Sequence, residues 1–426
     1  MFIPFSICCA ALVSLMVPFV SWAADPLTLA DAQRIAVDRS QQLLAQDALG
    51  AAVREQAWAA GQLPDPVLRA GIDNLPANGP DRFSLTRDFM TMRRIGIAQE
   101  FPRAAKRQLR SERFERDAQR VLAQRQLTQA NVERDTALAW IDRYYTQAMR
   151  ELVQQQLQES RLQVQAADSS FSTGRGSQAE VFAARSAVIQ LEDRLSQTDR
   201  QARNAVLMLA RWVGAPETAR PPSGAPPWQS TPMQDGDFSE HLKQHPDLLV
   251  ISAEIAAAQT EAKLAEANRQ SDWSVEASYA QRGPAYSNML SIGISIPLQW
   301  DQKNRQNREL SAKMAMVNEV KARYEDLFRN HEAEVRSWLN DWQTGKERVA
   351  RYKDEMIPTA HRRSDAALTA YRTGKGDLAG TLAARRDEID VRLQALTLEL
   401  ETARSWAVLN FLVPAAVSMN HTKDQP

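Results

Sequence analysis

A fifteen-residue turn segment occurs twice in this chain and limits the folds that the chain can adopt. Residues 171–185 (FSTGRGSQAEVFAAR) and residues 371–385 (YRTGKGDLAGTLAAR) align at an offset of 200 positions. The pairs that agree in kind are Phe171/Tyr371, Thr173/Thr373, Gly174/Gly374, Gly176/Gly376, Ala179/Ala379 and Arg185/Arg385. Each copy is a Gly-x-Gly turn between long stretches rich in Gln, Arg, Glu and Leu, which favour helices. We interpret the chain as a tandem duplication of one structural unit.

Residues 1–24 are predicted to be a signal peptide and not part of the fold. They form an apolar run that ends in the small residues Ala23 and Ala24, directly before Asp25. A basic N-terminal region is absent, so an uncleaved anchor stays open as the alternative. Cys8 and Cys9 both lie in this leader, so cleavage would leave no cysteine and exclude disulfides from the mature chain.

The charge balance excludes one class of partner. The chain has 52 basic and 52 acidic residues, whereas a nucleic-acid-binding protein needs a clustered basic excess. We therefore expect no nucleic-acid partner. Beyond the leader, no apolar run reaches the roughly 20 residues of a membrane-spanning helix.

The first unit is predicted to span residues 25–213. A helix over 28–61 is stopped by prolines at 64 and 66, and two segments with apolar residues at every second position follow. They predict a β-hairpin with strands at about 66–74 and 92–101. Residues 102–213 then predict two long antiparallel helices around the first glycine turn. The return arm has apolar residues at alternating steps of three and four, which predicts a coiled-coil seam.

The second unit repeats this plan after a linker. Residues 214–237 are rich in Pro, Gly and Ser and predict an extended linker. The second unit covers 238–413, with strands at about 272–281 and 288–298 and a helical hairpin over 301–411. Pro358 is expected to kink its first long helix. Residues 414–426 form a C-terminal tail.

The four predicted strands are too few to close a β-barrel within one chain. Each unit provides two strands with an apolar and a polar face, as in a transmembrane β-barrel. Four strands leave open edges, which lipid does not tolerate. Three chains would supply about twelve strands, a number within the range of known barrels. The alternative is a soluble periplasmic coiled-coil protein whose β-hairpins pack on its own helices.

The duplicated plan and the paired TG-x-G turns, each followed by Ala-Ala-Arg, resemble the TolC family of outer-membrane efflux proteins. Residues 65–101 (DPVLRAGIDNLPANGPDRFSLTRDFMTMRRIGIAQEF) resemble the heavy-metal branch, the CzcC-like and CusC-like channels. The resemblance covers essentially all of residues 25–413. It implies a mainly α fold with a small β part: a homotrimer with a 12-stranded transmembrane β-barrel and a periplasmic α-helical tunnel.

The same resemblance implies a function, a location and partners. The chain is expected to be the outer-membrane channel of a tripartite efflux system, reaching into the periplasm and conducting heavy-metal cations passively. The expected partners are a periplasmic adaptor, an inner-membrane pump of the resistance-nodulation-division type and outer-membrane lipid. The implied adaptor-docking residues at the helical tips are Phe171, Thr173, Gly174, Arg175, Gly176, Ser177, Tyr371, Thr373, Gly374, Lys375, Gly376 and Asp377.

The tips also depart from the drug-efflux prototype of the family. Where the prototype has aspartates behind its second turn, this chain has Gly380 and Ala383. The nearest carboxylates are Glu180 in the first copy and Asp377 in the second. In the barrel, Arg94, Glu100 and Glu276 are candidate lumen charges that would tune ion passage. The alternatives are that some of the three pair with each other or that they lie at the water boundary.

Catalysis, cofactors and a metal site are not expected. The sequence has no nucleophile elbow, phosphate-binding glycine loop or HExxH motif, so we predict no enzyme activity. His241 and His245 are four positions apart, but ordinary polar roles at a helix start explain them better than a metal pair. The competing hypotheses are a channel for drugs or for type I protein secretion, and a soluble periplasmic adaptor.

Overall fold

A computed structural model describes residues 25–231 and 242–412, and these are mainly helical. The helices are α1 (Leu29–Arg39), α2 (Gln41–Ala60), α3 (Ala104–Ser172), α4 (Gln178–Val213), α5 (Pro246–Ala267), α6 (Gln306–Arg351), α7 (Ile357–Arg372) and α8 (Leu378–Asn410). The strands are β1 (Val67–Asp73), β2 (Met92–Phe101), β3 (Trp273–Gln281) and β4 (Met289–Ser295). Within these ranges, none of the helices has both the length and the apolar character needed to span a membrane. The predicted signal peptide, residues 1–24, and the predicted tail, residues 414–426, fall outside the described residues.

The first predicted helix is two helices in the structure. Thr28 caps α1 by accepting a hydrogen bond from the amide of Asp31. Ser40 then leaves the helical conformation (φ −67°, ψ 106°), and its hydroxyl caps α2 at the amide of Leu43. A serine competes with the backbone for hydrogen bonds, which explains why the chain bends here. The prediction of one helix over 28–61 was wrong at this point.

The coiled-coil seam of α4 is the prediction that the packing reproduces most closely. Of the residues expected in the seam, those buried in the structure are Val181, Ala184, Leu191, Thr198, Ala202, Ala205 and Leu209. They face α3, a single uninterrupted helix of 69 residues. The hairpin therefore closes through steps of three and four residues, as antiparallel coiled helices do.

The second helical hairpin is interrupted where the first is not. Between α6 and α7, residues Tyr352–Met356 form a π-helical turn. Pro358 follows in the first turn of α7. Proline cannot donate to the carbonyl four residues earlier, and a π turn accommodates this missing bond. The expected kink is a local change of helix type.

The four strands form one antiparallel sheet in chain order, β1-β2-β3-β4. The pairing of β2 with β3 joins the two repeats edge to edge, with Ile97 opposite Ala277. β4 ends at Ser295, three residues before the predicted boundary. Pro297 lacks the amide that a strand needs for its ladder, so the strand stops before it.

A buried ion pair ties this sheet to the helices. The ammonium of Lys106 is buried near the start of α3 and lies 2.9 Å from the carboxylate of Asp272. It also donates to the carbonyl of Gln270, 2.5 Å away. These bonds connect the first repeat to the residues directly before β3. A contact between the two repeats therefore helps to hold the sheet on the helical part.

The predicted linker is extended, but it is packed into the helical core. Trp228 is 6% exposed, and its indole donates to the hydroxyl of Tyr145 at 3.0 Å. Trp342 donates to the carbonyl of Trp228 at 2.7 Å, and Trp406 to the carbonyl of Ser230 at 2.9 Å. Burial raises the pKa of the Tyr145 hydroxyl above its ordinary value. We name residues 221–231 the strap, because they cross helices from both repeats. The part of the predicted linker from 232 onward lies outside the described residues.

Candidate channel wall and helical tips

One face of the sheet is an uncovered apolar surface. Cross-strand neighbours project from the same side of a sheet, so the pairings make Leu68, Ile97, Ala277 and Ile292 one continuous row. Leu68 is 70% exposed and Ile292 is 74% exposed. Parallel to it runs the row Ala70, Ile95, Tyr279 and Leu290. A face this apolar is not covered by the helices of the same chain, contrary to the soluble alternative.

The opposite face carries the candidate lumen charges. Arg69 donates to Glu276 at 2.8 Å, and Arg94 contacts Asp73 at 2.9 Å. Glu100 shares this face by its position in β2, opposite Ser274. Arg94 and Glu276 are therefore both paired, but with Asp73 and Arg69 and not with each other.

A glycine permits the close approach of β2 and β3 on this polar face. A Cβ added at Gly96 would lie 2.7 Å from the Cβ of Ser278. Gly96 is buried although it lies in a sheet whose two faces are largely exposed. Glycine at this position therefore allows β2 and β3 to approach each other where a larger side chain would clash with Ser278.

The two glycine turns have the same backbone geometry. Gly174 has φ +71° and Gly374 has φ +73°, a conformation that favours glycine. The next amide, of Arg175, donates to the carbonyl of Ser170 at 2.9 Å, and that of Lys375 donates to Ala370 at 2.8 Å. Except for the partly buried Gly176 and Tyr371, the predicted tip residues are exposed. The duplication thus extends from sequence to individual hydrogen bonds.

Behind the turns the two copies differ. Ser177 and Glu180 form a reciprocal cap at the start of α4, in which the Glu180 carboxylate accepts the amide of Ser177 at 2.8 Å. In the second copy, Asp377 caps α8 by accepting the amide of Gly380 at 2.8 Å. Both carboxylates that were candidate tip charges therefore stabilise helix starts.

Apolar side chains pack the two tips against each other. Leu378 of the second turn is 4% exposed and packs against Ala167, Val181 and Ala184 of the first hairpin. The equivalent position of the first copy, Gln178, is exposed. The two turns therefore form a single exposed end of the molecule.

The equivalent arginines Arg185 and Arg385 make different contacts. Arg185 pairs with Asp168 of its own hairpin at 3.2 Å. Arg385 reaches Glu159 of the first hairpin at 2.7 Å and Glu388 of its own helix at 2.9 Å. Of these two equivalent arginines, Arg385 links the two hairpins, whereas Arg185 pairs within its own hairpin.

Glu388 is the centre of this link. It is 2% exposed and accepts hydrogen bonds from Arg385, His361 and Arg392 at 2.9, 2.9 and 2.7 Å. Burial alone would raise the pKa of this carboxyl, but the bonds from Arg385 and His361 outweigh burial and hold the pKa below its ordinary value. Glu388 is therefore a buried negative charge held by two arginines and a histidine.

A histidine cluster that sequence reasoning missed lies farther up the helices. His245, the N-cap of α5, and His331 of α6 have ring centroids 4.3 Å apart. Burial, and then the neighbouring His331, lower the pKa of His245 to about 4. The carboxylate of Asp247, whose Oδ2 lies 3.4 Å from Nε2 of His331, is the main factor that raises the pKa of His331. His245 and His331 are 86 positions apart in the sequence, so their spacing did not indicate a cluster. His241, the other histidine considered in the sequence, lies outside the described residues.

Comparison with known proteins agrees with this geometry. Residues 238–413 match the family model described as outer membrane efflux protein. No curated protein sequence matches the chain.

Several solved structures share the fold across nearly the whole chain. The outer-membrane channel OprN has 18% sequence identity and a TM-score of 0.76, covering 90% of this chain and 89% of that chain. CusC, whose structures concern folding and transmembrane channel formation, has 14% identity and a TM-score of 0.78, with coverage of 94% and 96%. The CmeC outer membrane channel of Campylobacter jejuni has 11% identity and a TM-score of 0.73, with coverage of 100% and 97%.

The fold is that of outer-membrane channels, with long helical hairpins below a small antiparallel sheet. The family model matches the second repeat, residues 238–413. The first repeat has the same order of elements, so both halves follow one plan. The whole chain therefore has the fold that the sequence resemblance predicted.

Proposed function

We propose that three copies of this chain form a channel that passes heavy-metal cations from the periplasm to the exterior. The observation that supports it most directly is the sheet with two unlike faces. The exposed row through Leu68, Ile97, Ala277 and Ile292 suits contact with lipid. The face with Arg94, Glu100 and Glu276 suits a water-filled lumen.

The open edges of the sheet favour the trimer. Within the described residues, β1 and β4 each have one strand neighbour. An open strand edge is not stable in lipid, because each unpaired amide or carbonyl in hydrocarbon costs several kcal/mol. Three sheets paired β4 to β1 would close a barrel of about twelve strands.

The exposed glycine turns are the proposed docking surface for a periplasmic adaptor. Gly174 and Gly374 leave the backbone open, since an added Cβ would meet nothing within 4 Å at either position. A partner's backbone can therefore approach closely. The adaptor would in turn join the channel to an inner-membrane pump that supplies the energy and much of the selectivity.

The metal cargo rests on the sequence of residues 65–101, which resembles the heavy-metal branch. In the fold, this segment comprises β1, β2 and the loop between them. It therefore contributes half of the strands of each chain to the proposed barrel. Drugs or secreted proteins are the competing cargo for the same channel.

A deletion strain tests the proposal. The strain and its complemented counterpart should be grown with zinc, cobalt, cadmium, nickel, copper and silver, and with a panel of drugs. We expect lower tolerance of one or more metals in the deletion strain and restoration by the intact gene. Unchanged metal tolerance with raised drug sensitivity would reject the metal cargo but keep the channel. Recovery of the protein as a soluble periplasmic monomer would reject the channel.

A further inference from the structure

We propose that His245, Asp247 and His331 form a binding site for one zinc-type divalent transition-metal ion per chain, within the helical part of the molecule. The proposal does not depend on which cargo the channel carries. The ion would join the start of α5 to the middle of α6.

The donor atoms already lie close together. One ligand atom from each of the three residues lies within 4.8 Å of the others. Nε2 of His331 is 3.4 Å from Oδ2 of Asp247, and Nδ1 of His245 is 3.9 Å from the same oxygen. Ligand atoms in a tetrahedral zinc site are about 3.3 Å apart, as bonds of about 2.0–2.1 Å require. Small side-chain rotations would therefore bring all three into bonding distance.

Glu334 orients the ring of His331 for metal binding through Nδ1, the nitrogen that would not bind the ion. Nδ1 of His331 lies 3.2 Å from Oε2 of Glu334, three residues later on the same helix. A carboxylate at this nitrogen accepts its proton and leaves the lone pair on Nε2, as in carboxylate–histidine–zinc arrangements. Glu334 is thus the positioning residue for the ligand His331.

Nε2 of His331 faces a carboxylate without forming a hydrogen bond to it. Nε2 is buried and, among the described residues, has no hydrogen-bond partner, and His331 as a whole is 8% exposed. When Nε2 carries no proton, its lone pair faces the Asp247 carboxylate at 3.4 Å, a repulsive arrangement that either a proton or a metal ion relieves. A metal ion between the two would satisfy both groups.

Charges around the site also favour a cation. Asp247 and Glu334 supply two carboxylates, whereas the start of α5 carries a partial positive charge from its backbone amides. Arg134 is the cation that acts on His245 and Asp247 from α3. It donates to Asp135 at 2.9 and 3.0 Å, which reduces its effect on the site.

The mixed ligand set indicates the kind of ion. Two imidazoles with one carboxylate suit zinc and its neighbours in the first transition series, and leave a fourth position for water. Calcium and magnesium prefer all-oxygen sites. Metal binding through Nδ1 of His245 would replace the hydrogen bond of 3.2 Å that this atom accepts from the Asp247 amide.

The test is zinc binding by the full-length protein in detergent, after removal of metal with a chelator. Competition with a chromophoric chelator should give one tight site per chain. Co²⁺ as a second probe should give the visible absorption of tetrahedral coordination. We expect His331→Gln to abolish the site, and Glu334→Gln to weaken zinc binding about 10–100-fold, the usual cost of losing an outer-shell partner.

Two further variants separate loss of the ligand from loss of the fold. His245→Asn removes the imidazole but keeps a good helix cap, so helicity should stay unchanged while the site is lost. His361→Gln is the matched control, since this ring contacts Asp365 at 3.3 Å and Glu388 at 2.9 Å without a second histidine. It should leave zinc binding intact. Equal zinc binding by the native protein, His331→Gln and His245→Asn would overturn the proposal. So would the absence of tight binding in the native protein, which would show that Asp247 and His331 share only a proton.

Discussion

The indole nitrogen of Trp342 donates a hydrogen bond of 2.7 Å to the main-chain oxygen of Trp228. Trp342 lies in α6 of the second repeat, whereas Trp228 lies in the strap that follows the first. The indole of Trp228 in turn donates to Tyr145 of α3 at 3.0 Å. The two repeats therefore share a core through a segment that composition alone marks as a linker.

This contact predicts that the strap is essential for stability. Trp228→Ala should destabilise the protein by about 3–5 kcal/mol, because it empties a buried aromatic site. Trp228→Phe should cost less, since it keeps a ring and loses the hydrogen bond to Tyr145. A double-mutant cycle that combines Trp228→Phe with Tyr145→Phe measures the energy of that bond, with chemical unfolding giving the stability of each variant. Additive effects of the two substitutions would contradict it.

The two faces of β4 predict opposite tolerance to charge. Ile292→Lys should reduce recovery of trimer in the outer-membrane fraction, because a lysine facing lipid near the midplane costs about 2–4 kcal/mol. Ser291→Lys is the matched control, one residue away on the polar face, and should be tolerated. Fractionation and native electrophoresis measure both. Equal recovery of the two variants would argue against a lipid-facing row.

The glycine turns predict a defect in export without a defect in assembly. Gly374→Pro is incompatible with φ +73°, because proline holds φ near −65°. It should distort the exposed turn and impair export, and so should Gly174→Pro. Measurements of metal tolerance and of trimer recovery distinguish the two roles. Loss of the trimer would mean that the turns serve folding instead of docking.

The buried carboxylate of Glu388 predicts a dependence of stability on pH. Its pKa is held below the ordinary value of 4.5 in the folded protein. Its contribution is therefore full above that value and is lost as the pH falls through the lowered folded pKa. Glu388→Gln should destabilise the protein at neutral pH by about 2 kcal/mol, the scale of a charge-assisted hydrogen bond. Its stability should then fall less steeply in acid than that of the native protein.

The control for this prediction is the neighbouring Asp387→Asn. Asp387 pairs with Arg363 at 3.0 Å on the surface, and such pairs contribute about 0–1 kcal/mol. Unfolding from neutral to acidic pH, followed by circular dichroism, compares the variants. Parallel curves for the native protein and Glu388→Gln would contradict the assigned role of Glu388.

Periodic features of the sequence were predictable because their cause is local. The seam of α4 follows from steps of three and four residues, and the buried positions Val181, Ala184 and Leu191 match it. The two faces of the strands follow from alternation in the same way. The duplicated turns were visible because glycine at Gly174 and Gly374 permits a positive φ.

Features that depend on tertiary neighbours were not predictable. Glu388 interrupts the apolar pattern of α8, and its burial is possible only because Arg385, Arg392 and His361 surround it. The proposed metal ligands His245 and His331 come together only when α5 packs on α6. The strap was expected to be an ordinary linker, since nothing in its composition shows which tryptophans it will meet.

The strap has a consequence for how the chain reaches its final form. Trp342 follows Trp228 by 114 positions, and Trp406 follows Ser230 by 176. During synthesis and export from the N-terminus, α3 and α4 emerge long before the side chains that complete the core around Trp140 and Tyr145. The first half of the molecule must then wait, partly folded, for the second. We therefore expect the two repeats to complete their folding together, and not one after the other.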